Sequence, residues 1–162
     1  MYMSRTLLLL SLTLAYFSIQ CERDDICLEG TPGTPRVIVV FKDAQNRSLN
    51  KIASGLAVAG TVTTTSIPIA AEDSILVPLN ALATNSRFEF RKTLTATQTL
   101  IDHLNFHYNR FDVFINRACG YKAQYIFENP AIELTESGWI QSFEVLQDTI
   151  ANETQTHIYL YH

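Results

Sequence analysis

Cysteine, tryptophan, glycine, proline and basic side chains are all scarce in this chain, and each scarcity excludes something. Three cysteines, six glycines and five prolines in 162 residues rule out a disulfide-dense scaffold, a collagen-like repeat and a low-complexity chain. Lysine and arginine number 12 against 16 acids, a formal charge of −4. That balance speaks against a nucleic-acid partner, which wants a basic face. No apolar run reaches the ~20 residues that span a bilayer comfortably as a helix, and no segment has a convincing amphipathic helical pattern. Catalytic signatures are missing as well. There is no G-x-S-x-G elbow, and no serine has a histidine and an acid at a recognised spacing. Gly55 and Gly60 flank a strand and are not followed by the Gly-Lys-Ser/Thr of a phosphate loop.

What is present begins with Arg5 and an apolar run from Thr6 to Ile19. A leucine-rich helix without a polar face would have to be surrounded on all sides by a small domain. As a signal peptide over residues 1–20 the segment needs no such burial. The segment Phe17-Ser18-Ile19-Gln20-Cys21 offers no A-x-A cleavage site, and a cysteine at that boundary is what a bacterial lipoprotein signal presents, its thiol alkylated with diacylglycerol. Ser18 and Gln20 stand where such signals usually carry an aliphatic and a small residue. Behind Cys21, the acids Glu22, Asp24 and Asp25 resemble the tag with which Bacteroidota lipoproteins reach the outer leaflet of the outer membrane. Like charges keep such a tether solvated above an anionic headgroup layer. Several acyl chains on one cysteine anchor stably without spanning.

Removing residues 1–20, whose only charge is Arg5, takes the formal charge from −4 to −5 and leaves 142 of the 162 residues. That is the size of one domain with its own core. The expected organisation is a signal peptide (1–20), a lipidated acidic tether and linker (21–35) and a single β domain (36–162). Once Cys21 is assigned to lipid, Cys27 and Cys119 remain. In an oxidising compartment they can form one disulfide; the competing reading is two separate buried thiols.

Two prolines and two glycines between Glu29 and Pro35 block helix and sheet alike. Arg36 to Lys42 then reads as a strand central in a sheet. Further short strands are expected at 56–63, 74–79, 87–91, 103–109, 112–116, 121–127, 132–135, 140–146 and 156–161, with another over Leu94 to Ile101, for which a helical turn is the alternative. Alternation is strict at Phe88 and Phe90 and again at Leu104, Phe106 and Tyr108. Nine or ten short strands point to an all-β, antiparallel β-sandwich, with a barrel-like closure as the alternative.

The signal, Asp24-Asp25-Ile26-Cys27, Thr34-Pro35-Arg36, Val77-Pro78-Leu79-Asn80 before a Phe-x-Phe strand, and Arg117-Ala118-Cys119-Gly120-Tyr121 together resemble an uncharacterised family of small Bacteroidota lipoproteins. The resemblance covers essentially the whole chain after the signal. It implies an envelope address and a Cys27–Cys119 pairing, and no catalytic residues.

His103 and His107 fall on one outer strand face about 13 Å apart, too far to share a metal. His162 is expected in solvent. Carboxylates such as Glu133 and Glu136 are an undistinguished pair among 16 acids. No cofactor, metal or catalytic residue is therefore expected. Trp139, Tyr121 and Tyr125 are a candidate ligand platform, against the reading that they pack the core. Asp73-Ser74-Ile75 and Asp148-Thr149-Ile150 resemble the motif at which Bacteroidota O-glycosylate exported proteins, at Ser74 and Thr149. The expected function is that of a non-enzymatic accessory or interaction module of the cell envelope. It would be held to the outer membrane through Cys21, at the cell surface or facing the periplasm, with envelope proteins or glycans as partners. The alternatives are a carbohydrate- or peptide-binding module and a hydrolase.

Overall fold

The computed structural model describes residues 26–61, 67–69, 72–135 and 138–162. The expected signal segment, Cys21, Glu22, Asp24, Asp25 and Glu136 lie outside them. Contacts divide the chain into two compact units, one holding described residues 26–31 with Ile115–Gly120 and the other running over Pro32–Phe114 and Tyr121–His162.

Among the described residues ten strands and no helix are present. One sheet has the order β4 (Ser74–Val77), β1 (Val37–Lys42), β10 (Ile158–Tyr161), β8 (Ser142–Val145). The other runs β3 (Ile67–Pro68), β2 (Leu56–Gly60), β5 (Asn85–Thr95), β6 (Gln98–Asn116), β7 (Gly120–Thr135), β9 (Thr149–Ile150). The result is an all-β sandwich that does not close into a barrel. Its core is made by strict alternation. Val37, Val39 and Phe41 of β1 are fully buried, as are Leu104, Phe106 and Tyr108 of β6. Burying each large apolar side chain contributes about 1.5–3 kcal/mol.

Several strands differ from the expected ones. The pairs 103–109 with 112–116, and 121–127 with 132–135, are single strands of 19 and 16 residues. Arg110 and Asp112, which look like a break, pair with each other and continue β6. Pro130 is tolerated in β7 because the outer neighbour β9 pairs only with Tyr125 and Ile126. The segment 94–101 is not a strand of its own: it holds the end of β5, the two-residue turn Ala96-Thr97 and the start of β6. The sandwich is also not wholly antiparallel, for β1 and β10 run parallel, with Val39 beside Ile158 and Phe41 beside Leu160.

In the first unit, Cys27 and Cys119 are joined by a disulfide, with Cα atoms 4.8 Å apart, so the reading of two separate thiols is excluded. Thr31 donates from both N and Oγ1 to the Leu28 carbonyl, and the Cys119 amide donates to Asn116 Oδ1 at 2.7 Å.

Among the described residues of the larger unit, one acidic side chain, that of Asp102, is completely buried. Asp102 lies in the inward phase of β6, opposite Phe90. It accepts hydrogen bonds from the amides of Gly138 (2.6 Å), Trp139 (2.7 Å) and Ile140 (2.9 Å). Those three donors do for the carboxylate what water would otherwise do. At Gly138 an added Cβ would sit 2.5 Å from the Ile101 carbonyl oxygen, so this approach of loop to strand needs glycine.

Candidate functional site

The larger unit has an apolar cleft of about 770 Å³ between β4 of one sheet and β2 and β5 of the other. Its walls include Val58, Ile69 and Phe88 on one side and Ile75, Leu76 and Val77 on the other. The cleft has a local cause. Phe88 of β5 faces Gly60 of β2 across the ladder, and a glycine brings no side chain to cover that ring. Glu72 and Ser74 supply polar atoms at the wall. A second hollow of about 360 Å³ shares Gly60, Pro78 and Phe88 with it and continues towards Asn80 and Arg87, so the groove has an aliphatic end and a polar end.

The strand bordering the cleft has an open backbone edge. Ile38 of β1 accepts from the His157 amide and donates to His157 Nδ1 at 2.9 Å, so both its main-chain groups point away from β4. In an antiparallel ladder its partner Leu76 must then turn its own N–H and C=O away from β1. Because β4 is the end strand of its sheet among the described residues, those groups face outward beside the cleft, the arrangement to which an extended peptide can add a strand.

The candidate platform is not assembled. Tyr125 is fully buried, its ring 5.1 Å from that of Tyr108, and burial raises its pKa. Trp139 is 8% exposed, donates through Nε1 to the Phe90 carbonyl at 3.0 Å and packs on Phe41 and His162. Both are core anchors, because each polar tip finds its partner inside the fold. Tyr121 alone of the three is exposed. Thr149 is exposed beside Asp148, and Ser74 is half-buried at the cleft.

The histidines serve other places. His162, expected in solvent, is buried against Trp139 and Phe41, with Nδ1 3.1 Å from Lys92 Nζ. Burial lowers its pKa and that of His157. His103 faces Glu89 at 3.6 Å, and His107 faces Glu133 at 3.3 Å with Asn105 beside both. The His107 contact holds the Glu133 carboxyl below its usual range. These are two separate pairs on the outer face, as the spacing along β6 requires. Among the described residues no group of three or more His, Cys, Asp or Glu side chains could hold a metal.

A family model matches residues 55–162, from just before β2 to the final residue of the sequence. The chain belongs to a family of unknown function (DUF6452). The matched segment contains the cleft strands β2, β4 and β5, Asp102 and Cys119, whereas Cys21, Cys27 and β1 precede it. No curated protein and no solved structure matches the chain. The cleft and the β4 edge were not legible in the sequence. The only local trace is Gly60, a glycine at the end of an otherwise apolar strand.

Proposed function

We propose that the protein is a lipid-anchored component of a bacterial cell envelope, of the Bacteroidota type, that works by holding another protein and not by catalysis. In this reading Cys21 carries the lipid, and Glu22, Asp24 and Asp25 route the chain to the outer membrane. The observation that carries the binding part is the outward edge of β4 beside an aliphatic cleft. An extended segment of another envelope protein would pair with Leu76 through its backbone and place alternate apolar side chains in the cleft. A glycan suits the site less well, since sugars stack on aromatic rings and, among the described residues, Phe88 is the one ring at this wall. A hydrolase would need a base beside a nucleophile, and the described histidines are engaged elsewhere.

The anchor is tested in the producing cell. Cys21→Ser should move the protein from the membrane to the soluble fraction with its fold intact; continued membrane retention would overturn the lipid assignment. The binding site is tested with a fluorescently labelled decapeptide of alternating valine and threonine, read by anisotropy on the purified protein. Saturable binding is expected, weakened about tenfold or more in Leu76→Pro, which removes one outward donor worth about 1.4 kcal/mol. Proline there spares the ladder to β1. Absence of saturable binding, or binding indifferent to Leu76→Pro, would sink the strand-addition reading.

A further inference from the structure

The long β6–β7 hairpin carries aromatic residues where the core no longer covers them. On β6 the inward phase runs Leu104, Phe106, Tyr108, all fully buried, and then continues through Arg110 and Asp112 to Phe114, which is 53% exposed. On β7 the same phase runs outward from buried Tyr125 and Ala123 to Tyr121, 68% exposed. The Phe114 and Tyr121 rings meet edge to face at 5.2 Å. On the opposite face of the ribbon Phe111 is exposed too, with Val113 half-buried beside it in phase. A thin ribbon with exposed aromatic rings on both faces, and the Arg110–Asp112 ion pair between the core and Phe114 on one of them, is poorly suited to a protein partner, which would cover one face. It suits immersion in a medium that surrounds it.

The chain's own connectivity says which medium. Tyr121 is two residues from Cys119, which is bonded to Cys27, and Cys27 is six residues from Cys21. At about 3.3–3.6 Å per residue, with 4.8 Å between the Cα atoms across the disulfide, that path holds Tyr121 within roughly 35 Å of Cys21. We infer that Phe111, Phe114 and Tyr121 form a membrane-docking ribbon that enters the lipid headgroup region beside the anchor. The inference rests on the lipid-anchor reading of Cys21. Phenylalanine and tyrosine rings favour that zone because they present an apolar body with, in tyrosine, a polar tip to the water. A single weak aromatic contact becomes effective once the lipid has already confined the domain to the surface, since the second contact is then intramolecular.

The test uses full-length protein purified from its membrane and reconstituted into phosphatidylcholine vesicles, with Tyr121→Trp as reporter and the unaltered protein, whose Trp139 is buried, as baseline. Flotation reports the anchor; quenching of the introduced indole by acyl-brominated phosphatidylcholine reports the ribbon. The expected result is flotation with a blue-shifted emission that brominated lipid quenches. Adding Phe111→Ser and Phe114→Ser should abolish the quenching while flotation persists. Flotation with an emission that stays water-exposed and unquenched would overturn the ribbon alone. A blue shift without vesicles that grows with protein concentration would overturn it in favour of a second copy of the chain. Failure to float would overturn the anchor and this inference with it.

Discussion

Asp102→Ala should lower the unfolding free energy by about 3–5 kcal/mol, one of the largest losses available to a single substitution here. The aspartate is fully buried, and no lysine or arginine is among its hydrogen-bond partners. Its charge is met by the amides of Gly138, Trp139 and Ile140. Alanine would leave those donors unsatisfied, at about 1–3 kcal/mol for a buried group that loses its only partner. The damage would spread, because the same three residues set Trp139 between Phe41 and His162 and aim its Nε1 at the Phe90 carbonyl. Asp102→Asn should be milder, since one amide oxygen still accepts, yet its NH2 group opposes another donor. Chemical denaturation followed by Trp139 fluorescence measures both. A loss under about 1 kcal/mol for the alanine variant would show that the loop is held by its apolar contacts alone.

Breaking the Cys27–Cys119 bond should cost a comparable amount by a different route. The cysteines are 92 residues apart in sequence, and restoring that freedom to the unfolded chain is worth about 4–5 kcal/mol on the chain-entropy account. Among the described residues of the small unit that the bond closes, Ile26 and Leu28 are exposed, and the hydrogen bonds are local ones, Thr31 to Leu28 and Cys119 to Asn116. In the double variant Cys27→Ser, Cys119→Ser, residues 26–31 should therefore become susceptible to protease while the sandwich still folds. Denaturation with and without reductant, together with limited proteolysis, decides it. An unchanged midpoint would mean that the unfolded chain is already constrained near these positions.

Much of the sandwich was legible because its strands keep the period of two. Phe88 and Phe90, and Leu104, Phe106 and Tyr108, announce their inward phase, and β1 reads as central because both its faces are apolar. Counting left Cys27 and Cys119 able to pair, with two separate thiols as the alternative, and the family resemblance implied the bond that the structure contains. The length of β6 was not legible, since Arg110 and Asp112 look like a turn until their mutual pairing is seen. Asp102 was in principle readable, as it is an acid in phase with three buried apolar residues, and such a residue must find donors. Trp139 and Tyr125 were offered as a platform because a buried and an exposed aromatic look the same in a strand pattern. The cleft depends on strands distant in sequence whose edges meet only in the fold, and no local pattern encodes that. His162 is buried for the same reason, by Phe41 and Trp139, neither of them near it in the chain.

The pairing of β1 with β10 bears on when the domain can form. The two inner strands of the four-stranded sheet are the first and the last of the series, so that sheet cannot close until residues 158–161 have emerged. Until then Val37, Val39 and Phe41 lack the neighbours Ile158 and Leu160 that bury them. On a chain that emerges from its N-terminus, β1 therefore waits for β10, and the four-stranded sheet can be completed only after every strand of the six-stranded sheet has emerged.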